Sequence, residues 1–223
     1  IVAYVNASLA AGAEIHARES VLSWEPTGDG VLVHTGRAEY TAEKLVITAG
    51  AWTAGMVPSL AELAVPERQV LAWLQPEDPM LFTPENFPVF NAYFDEGRYY
   101  GFPVFGIPGF KIGKYHHLEE VADPDHMGKG VTREDEEILR SATAKYFPKA
   151  NGNVMTMATC MFTNSPDEHF IIGVLPNHPQ VSVAAGFSGH GFKFASVVGE
   201  IMGDLATRGE TPHDIELLRL DRF

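Results

Sequence analysis

A glycine-rich turn near the end of the sequence has the composition of a ligand-binding connection. Gly186, Gly189 and Gly191 separate the apolar run 181–185 from an amphipathic run with helical spacing. A strand-to-helix turn presents unpaired backbone N–H groups and the positive end of the helix dipole to a neighbouring ligand. The turn therefore predicts a site for an anion or an electron-rich ring. The alternative, from these residues alone, is a plain sharp connection.

The turn does not fit two better-known motifs. A serine nucleophile elbow has a glycine two residues after the serine, but His190 follows Ser188 at that spacing. A dinucleotide-binding fingerprint has a glycine three residues after its second glycine, but Phe194 follows Gly191 at that spacing. The turn therefore predicts neither a serine nucleophile nor a pyrophosphate loop.

Three further side chains have types suited to chemistry. Cys160 is the only cysteine, which excludes an internal disulfide and leaves either a reactive thiol or an inert core residue. Lys111 interrupts an apolar strand pattern, where a charge is costly unless it is paired or functional; the alternative is a lysine that protects a sheet edge. Lys193 directly follows the glycine turn, and its alternative is a solvated surface lysine.

Composition and charge disfavour several classes of partner. The 223 residues are 45% hydrophobic and carry a net charge of -13, which disfavours nucleic acids and anionic membranes. No run has the length of a membrane span and no leader opens the chain, so a cytoplasmic protein is predicted. Residues 116–126 are rich in histidines and acids without zinc or EF-hand spacing, and no metal site is predicted.

The hydrophobic patterns predict an α+β fold. Helical spacing predicts an opening helix over residues 1–9, and Thr132 with Asp135 forms a capping-box pattern for a second helix. A last helix is predicted from about Gly191 to Leu205. Alternation and apolar runs predict strands at 13–16, 21–24, 31–34, 45–48, 70–75, 89–94, 99–104, 110–115, 169–174 and 181–185, with a hairpin turn at Asp29-Gly30.

Two long segments resemble signatures of the monomeric sarcosine oxidase and N-methyltryptophan oxidase family. The run Cys-Met-Phe-Thr-Asn-Ser-Pro-Asp-Glu-His-Phe-Ile-Ile-Gly at 160–173 is similar to the segment that binds the flavin 8α carbon through a thioether. The run Ala-Ala-Gly-Phe-Ser-Gly-His-Gly-Phe-Lys-Phe at 184–194 is similar to a second family signature. Segments 45–52, 99–103 and 111–113 also match, so the resemblance spans nearly the whole chain.

The resemblance implies a set of FAD-binding residues. Cys160 would form the thioether as a thiolate, which predicts a nearby positive charge that lowers its pKa. The glycine turn would face the flavin pyrimidine edge, where N–H groups stabilise the negative charge of the reduced state. The implied cofactor-binding residues are Val21, Ala49, Gly50, Trp52, Cys160, Met161, Gly186, Gly189, His190, Gly191 and Phe192.

Further roles concern the substrate and oxygen. By resemblance, Lys193 binds the substrate carboxylate together with an arginine from an N-terminal portion that this sequence lacks. Lys111 matches a lysine beside flavin N5 that assists oxygen reduction, and Tyr100 matches a tyrosine that contacts the substrate.

Two positions depart from the family pattern. The family's active-site histidine aligns with Tyr115, and His116, one position further on, could replace it only with a local bulge. The tyrosine two residues after the flavin cysteine is Phe162 here. Both changes favour a different secondary amine or amino acid over sarcosine.

The resemblance also implies a domain organisation and a reaction. Residues 1–65 and 160–223 would form part of an FAD-binding domain of the glutathione-reductase-like type, and residues 66–159 a mixed, largely antiparallel substrate domain. The glycine-rich βαβ unit that holds the FAD pyrophosphate is not in the sequence, so these 223 residues alone are expected to be inactive. The implied reaction oxidises a C–N bond and reduces molecular oxygen to hydrogen peroxide. The alternatives are an amino-acid dehydrogenase with another acceptor and an inactive interaction remnant.

Overall fold

The computed structural model describes residues 1–128 and 130–223 as a mixed α/β fold with three sheets. The helices of these residues are α1 (Val2–Ala10), α2 (Thr53–Met56), α3 (Arg133–Tyr146) and α4 (Ala195–Arg208). The strands are β1 (Val21–Thr27), β2 (Gly30–Thr35), β3 (Glu39–Ala42), β4 (Leu45–Ile47), β5 (Val65–Leu74), β6 (Phe90–Phe94), β7 (Gly97–Phe102), β8 (Phe110–Lys114), β9 (Val154–Asn164), β10 (Ile171–Leu175) and β11 (His178–Ala185). The predicted mixture of helices and strands is confirmed.

A small antiparallel sheet has the order β1-β2-β3. Its first hairpin turns at Gly28, whose φ of 56° is a left-handed conformation that glycine adopts without strain. The predicted hairpin is therefore confirmed. The strand predicted at 13–16 is wrong, because these exposed residues pair with no other strand among those described. The His16 ring bonds instead with the carboxylates of Glu14 and Glu19.

A second sheet has the order β10-β11-β4, and its central strand is buried on both faces. β11 pairs antiparallel with β10 and parallel with β4. Val181 and Val183 pack into one hydrophobic cluster, whereas Ala184 packs against Ile201 of α4 in another. Burial on both faces explains why the apolar run of β11 shows no alternation, whereas Val46 of β4 is 40% exposed.

The largest sheet has the order β6-β7-β8-β5-β9, and every neighbouring pair is antiparallel. β9 pairs with β5 along most of its length, from Asn164 opposite Val65 to Val154 opposite Leu74. The sequence interpretation missed β9, because it treated the cysteine segment only as a motif. The expected domain boundaries at 65/66 and 159/160 both fall inside strands of this sheet.

Helix α3 packs against one face of this sheet, which we call the back face. Thr132 and Asp135 form the predicted capping box. Asp135 also accepts hydrogen bonds from both terminal nitrogens of Arg68, at 2.9 and 2.7 Å, and both side chains are buried. The buried apolar residues of the back face and α3 are Val70, Ala72, Leu74, Phe110, Ile112, Leu139 and Ala142.

The last helix begins later than predicted. Phe192–Phe194 forms a 3₁₀ turn, and the α-helix runs from Ala195 to Arg208 before Gly209 ends it with a φ of 78°. The glycine turn therefore leads into a 3₁₀ turn first and the α-helix afterwards. None of the helices in the described residues combines the length and apolar character that crossing a membrane requires.

Candidate active site

The largest sheet gathers the predicted catalytic side chains on the face opposite α3, which we call the front face. Directly paired residues of antiparallel strands project to the same face, as do residues two apart on one strand. Cys160 pairs with Gln69 on β5, and Lys111 pairs with Trp73 four residues further along β5. The pairing of β7 with β8 places Tyr100 on the same face. Three residues far apart in the sequence thus share one surface.

An aromatic cluster of Tyr100, Tyr115 and Phe162 forms a wall on the front face. The ring centroids are 5.1 Å apart for the two tyrosines and 5.5 Å apart for Tyr115 and Phe162, as expected for packed aromatic pairs. The guanidinium carbon of Arg98 lies 4.0 Å from the Tyr115 ring centroid. Burial raises the pKa of Tyr100, and the nearby Cys160 and Tyr115 raise it further, so Tyr100 is a neutral phenol at physiological pH.

The glycine turn lies directly against β9. The backbone N–H of Ser188 donates to the carbonyl of Thr163 at 2.9 Å, and the N–H of Ser165 donates to Ser188 Oγ at 3.2 Å. Gly189 has a φ of 75°, and a Cβ at this position would overlap the Phe162 ring. A side chain at Gly189 would therefore be excluded by both backbone conformation and packing. The cysteine segment and the glycine turn meet at one place.

A cavity of about 850 Å³ opens beside this contact. Its size lies within the usual range for small-molecule and cofactor sites. The lining comes from the end of β4 and the residues after it, from β9, and from the glycine turn with α4. Seven of the predicted cofactor-binding residues line it: Gly50, Trp52, Met161, Gly186, Gly189, Gly191 and Phe192.

Comparison with known proteins identifies the family of this chain. Residues 1–205 match the family model described as FAD dependent oxidoreductase. The chain belongs to that family. Monomeric sarcosine oxidase of Bacillus sp. (strain NS-129) is 42% identical over 100% of this chain and 58% of its own length. N-methyl-L-tryptophan oxidase of Citrobacter koseri is 38% identical over 87% of this chain and 52% of its own length. This member of the FAD dependent oxidoreductase family therefore spans a little more than half of each of these relatives.

Solved structures of similar proteins support the fold. NikD, described as an unusual amino acid oxidase essential for nikkomycin biosynthesis, superposes with a TM-score of 0.77 at 26% identity, covering 98% of this chain and 58% of that one. L-proline dehydrogenase from P. horikoshii superposes with a TM-score of 0.80 at 21% identity, covering 98% of this chain and 57% of that one. At this identity the similarity supports the fold alone. The predicted resemblance to FAD-dependent amine oxidoreductases is confirmed.

The cavity fits the flat ring system of the FAD that this family uses. Glycines and alanines form much of its lining, so a planar ring can approach the backbone closely. In the part of the chain that the structure describes, the N–H groups of Gly189 and Gly191 donate to no backbone carbonyl. They are therefore available to acceptor atoms of a bound ring.

Nine predicted site residues do not line this cavity: Val21, Ala49, Cys160 and His190 of the cofactor set, Lys193 of the substrate set, and Tyr100, Lys111, Tyr115 and His116 of the catalytic set. Val21 lies exposed on β1, and Ala49 packs into the hydrophobic cluster beneath β4. The His190 ring bonds with the Glu168 carbonyl at 3.0 Å and lies beside Phe170. Lys193 is exposed, and its Nζ donates to the His190 carbonyl at 3.0 Å. Their roles in binding stay predictions.

The electrostatic surroundings of Cys160 differ from the prediction. The expected positive group is present, since the Lys111 ammonium lowers the pKa of the thiol. Burial has the larger and opposite effect, so the pKa of Cys160 is raised overall. Because β9 places the thiol half-buried in a sheet, a thiolate is costly there. The predicted net lowering of the Cys160 pKa is therefore wrong for this structure.

A polar network lies beside the aromatic cluster on the front face. His116 has a left-handed φ of 51°, which turns the chain after β8 and directs its ring to Glu67. The His116 ring is within 2.9 Å of both Glu67 and Glu168. Glu67 also accepts from the Asn164 amide at 2.8 Å and from the Gln69 amide at 2.5 Å. The left-handed residue lies after the end of β8 and is not a bulge in that strand, and the role of His116 stays a prediction.

We expect Glu67→Gln to lower the pKa of His116. Burial alone would lower this pKa, but the hydrogen bonds and charges of Glu67 and Glu168 outweigh burial and raise it. Because the pKa of His116 is raised in the folded state, protonated His116 stabilises the fold fully below the ordinary histidine value of about 6.5. This contribution is lost as the pH rises through the folded-state pKa. Titration of the imidazole C–H resonances by NMR measures the shift. Glu119→Gln, at an exposed neighbouring position, is the control, and an unchanged His116 pKa in Glu67→Gln would contradict the assignment.

Sequence reasoning missed several residues of this site. Glu67, Gln69 and Trp73 all lie on β5, two or four residues apart, and therefore share the front face. Gln69 is fully buried, and its Oε1 has no partner among the described residues. Three consecutive polar residues, Glu67, Arg68 and Gln69, in an otherwise apolar strand were the available signal, since buried polar side chains need a partner.

Proposed function

We propose that the complete protein containing this chain oxidises the C–N bond of a small secondary amine or amino acid, with FAD as its cofactor. The observation that carries the proposal is the convergence of the Cys160 strand and the glycine turn on one cavity, joined by the hydrogen bond from Ser188 to Thr163. The names of the two relatives support it, since sarcosine and N-methyl-L-tryptophan are both N-methyl amino acids.

The front face supplies the residues that would act on the substrate. FAD, when bound, would accept two electrons and one hydrogen from the carbon next to nitrogen, the nitrogen would lose a proton, and the imine product would hydrolyse in water. Tyr100, Tyr115 and Phe162 would orient the carbon substituents of the amine as an apolar wall. Lys193 would bind the substrate carboxylate from the rim of the glycine turn. No strong base is required, because the amine can react in its neutral form.

The aromatic wall favours a substrate with a larger apolar group than sarcosine has. Phe162 removes one hydroxyl from the pocket relative to the family pattern, and Tyr115 replaces a histidine with a larger ring. Rings that contact each other at 5.1 to 5.5 Å leave a surface that binds apolar groups well and offers few polar partners. We therefore expect N-methyl amino acids with apolar side chains to be better substrates than sarcosine.

We expect the holoenzyme to carry its flavin covalently and to lose that attachment in Cys160→Ala. Cys160 is the only cysteine in these 223 residues, so no other thiol of this chain can replace it. Denaturing-gel fluorescence should show a flavin band for the parent protein and none for Cys160→Ala. Thr156→Ala, an exposed position on the same strand and face, is the control and should keep the band.

The same preparations test the oxidation itself. Anaerobic addition of an N-methyl amino acid should bleach the flavin absorbance, and admission of air should release hydrogen peroxide. A flavin that no secondary amine or amino acid bleaches would refute the proposed function. A parent protein with no fluorescent band on the gel would refute the covalent attachment alone.

A further inference from the structure

The Lys111 ammonium lies between two aromatic rings on the front face. Its Nζ is 4.9 Å from the Trp73 ring centroid and 4.8 Å from the Phe102 ring centroid. The arrangement follows from the register of three strands, because Lys111 on β8 pairs with Trp73 on β5 and with Phe102 on β7. Directly paired side chains project to the same face. The sheet therefore places one ring on each side of the lysine.

The two rings hold the ammonium without neutralising it. Within residues 1–128 and 130–223, Lys111 forms no ion pair with a carboxylate, whereas Lys145 contacts Glu96 at 2.6 Å. An aromatic face attracts a cation through its quadrupole, but it carries no net negative charge and accepts no proton. The positive charge of Lys111 is therefore available to a group on the front face. This charge acts on Cys160, because it lowers the pKa of the thiol, whereas burial raises that pKa.

We propose that Trp73 and Phe102 are positioning residues that hold Lys111 where it stabilises the negative charge formed on oxygen. The inference rests on the proposed oxidase function. Molecular oxygen takes two electrons from the reduced cofactor and two protons, and leaves as hydrogen peroxide. A negative charge appears on oxygen with the first electron, and a fixed nearby cation lowers the free energy of that state. Lys111 is unchanged after each cycle.

The arrangement also explains why rings serve here better than a carboxylate would. A carboxylate beside Lys111 would fix the ammonium equally well, but its charge would cancel most of the field at the oxygen. A lysine with no partner would keep its charge and move freely among its rotamers. Two rings restrict the side chain and preserve the charge, which is the combination that preorganised electrostatic stabilisation requires.

Stopped-flow measurements on the holoenzyme test the proposal. We expect Trp73→Leu and Phe102→Leu each to slow the reaction of the reduced enzyme with oxygen by about 3- to 30-fold, the range that loss of one cation–π contact predicts. The rate of anaerobic reduction by the amine should change much less than the rate of the oxygen reaction. Trp73→Phe keeps an aromatic face and should restore the rate to within about twofold of the parent. Lys114→Met removes a positive charge from the same strand on the back face and should leave the rate unchanged.

The Cys160 thiol provides a second readout that does not depend on turnover. In full-length protein that has not been given flavin, alkylation by iodoacetamide is followed on the peptide that contains Cys160, the only cysteine in these 223 residues. We expect the pH profile of alkylation to move to higher pH in Trp73→Leu and further in Lys111→Met, and to stay in place in Trp73→Phe. Phe102→Leu, at a partly exposed position, serves if Trp73→Leu fails to fold.

The possible failures are distinguishable. A holoenzyme whose flavin no amine reduces would refute the proposed function, and the alkylation profile would still show whether the rings hold Lys111. A working oxidase whose oxygen reaction and alkylation profile are both unchanged in Trp73→Leu and in Phe102→Leu would overturn the positioning role. In that case, the oxidase assignment would stand.

Discussion

Replacing Lys111 with methionine is expected to slow the reaction of the reduced holoenzyme with oxygen by about 100- to 1,000-fold, the usual cost of removing one preorganised electrostatic contact. Methionine keeps the length and apolar stem of the side chain, so packing between Trp73 and Phe102 is preserved while the charge is lost. Rapid mixing of the anaerobically reduced enzyme with aerated buffer measures the rate. The rate of anaerobic reduction by the amine should stay within about threefold of the parent rate, since the charge acts on oxygen.

The opposite distribution of effects would contradict this assignment. If Lys111→Met slowed anaerobic reduction as much as reoxidation, Lys111 would act on the substrate or on cofactor binding. Lys111→Arg is an informative second variant, because a guanidinium keeps the charge and stacks well on aromatic rings. Partial recovery in Lys111→Arg would show that charge, and not the shape of the lysine, is required.

Asp135→Ala is expected to lower the free energy of unfolding by about 3 to 5 kcal/mol. The carboxylate accepts from both terminal nitrogens of Arg68 and from the ring of His117 at 3.0 Å, and all three side chains are buried. Its removal would leave a buried guanidinium without its main partner and would also remove the capping box of α3. Urea denaturation at neutral pH measures the loss. Arg133→Ala breaks an exposed pair with Glu137 on the same helix and should cost less than about 1 kcal/mol.

The same cluster gives the stability a defined pH dependence. Burial alone would raise the pKa of Asp135, but the hydrogen bonds of Arg68 and Thr132 hold it well below its usual range. A lowered carboxyl pKa stabilises the fold above the unfolded-state value of about 3.9, and this contribution is lost as the pH falls toward the folded-state pKa. Burial lowers the pKa of His117, so protonation of the unfolded chain below about 6.5 also opposes folding. Acid should therefore destabilise the parent protein more than Asp135→Ala, and an equal pH dependence of the two would contradict this assignment.

Local patterns predicted the elements whose stabilising contacts are close in sequence. The capping box of Thr132 and Asp135 predicted α3, and the Asp29-Gly30 pair predicted the first hairpin. The glycine spacing at 186–191 predicted a turn open to a ligand, and the cavity lies beside it. In each case the residues that decide the structure lie within a few positions of one another, so a single window of sequence contains the whole signal.

Contacts between distant strands were not predictable in the same way. Trp73, Phe102 and Lys111 become neighbours only through the register of β5, β7 and β8, which no local pattern specifies. The direction of the Cys160 pKa shift was likewise not predictable, because the burial of a thiol depends on which other elements cover its strand. Family resemblance named Cys160 and Lys111, but it did not reveal the residues that surround them.

The bond from Ser188 to Thr163 restricts where molecules can enter the cavity. Separation of the glycine turn from β9 would break this backbone hydrogen bond and pull Phe162 off Gly189, so that wall should remain closed. Two exposed aromatic side chains also line the cavity: Phe192, which is 81% exposed, and Trp52, which is 48% exposed. The indole N–H of Trp52 donates to the exposed carboxylate of Asp125 at 2.8 Å. A planar ligand bound in this cavity would therefore contact aromatic side chains that already lie at the surface and can stack on it.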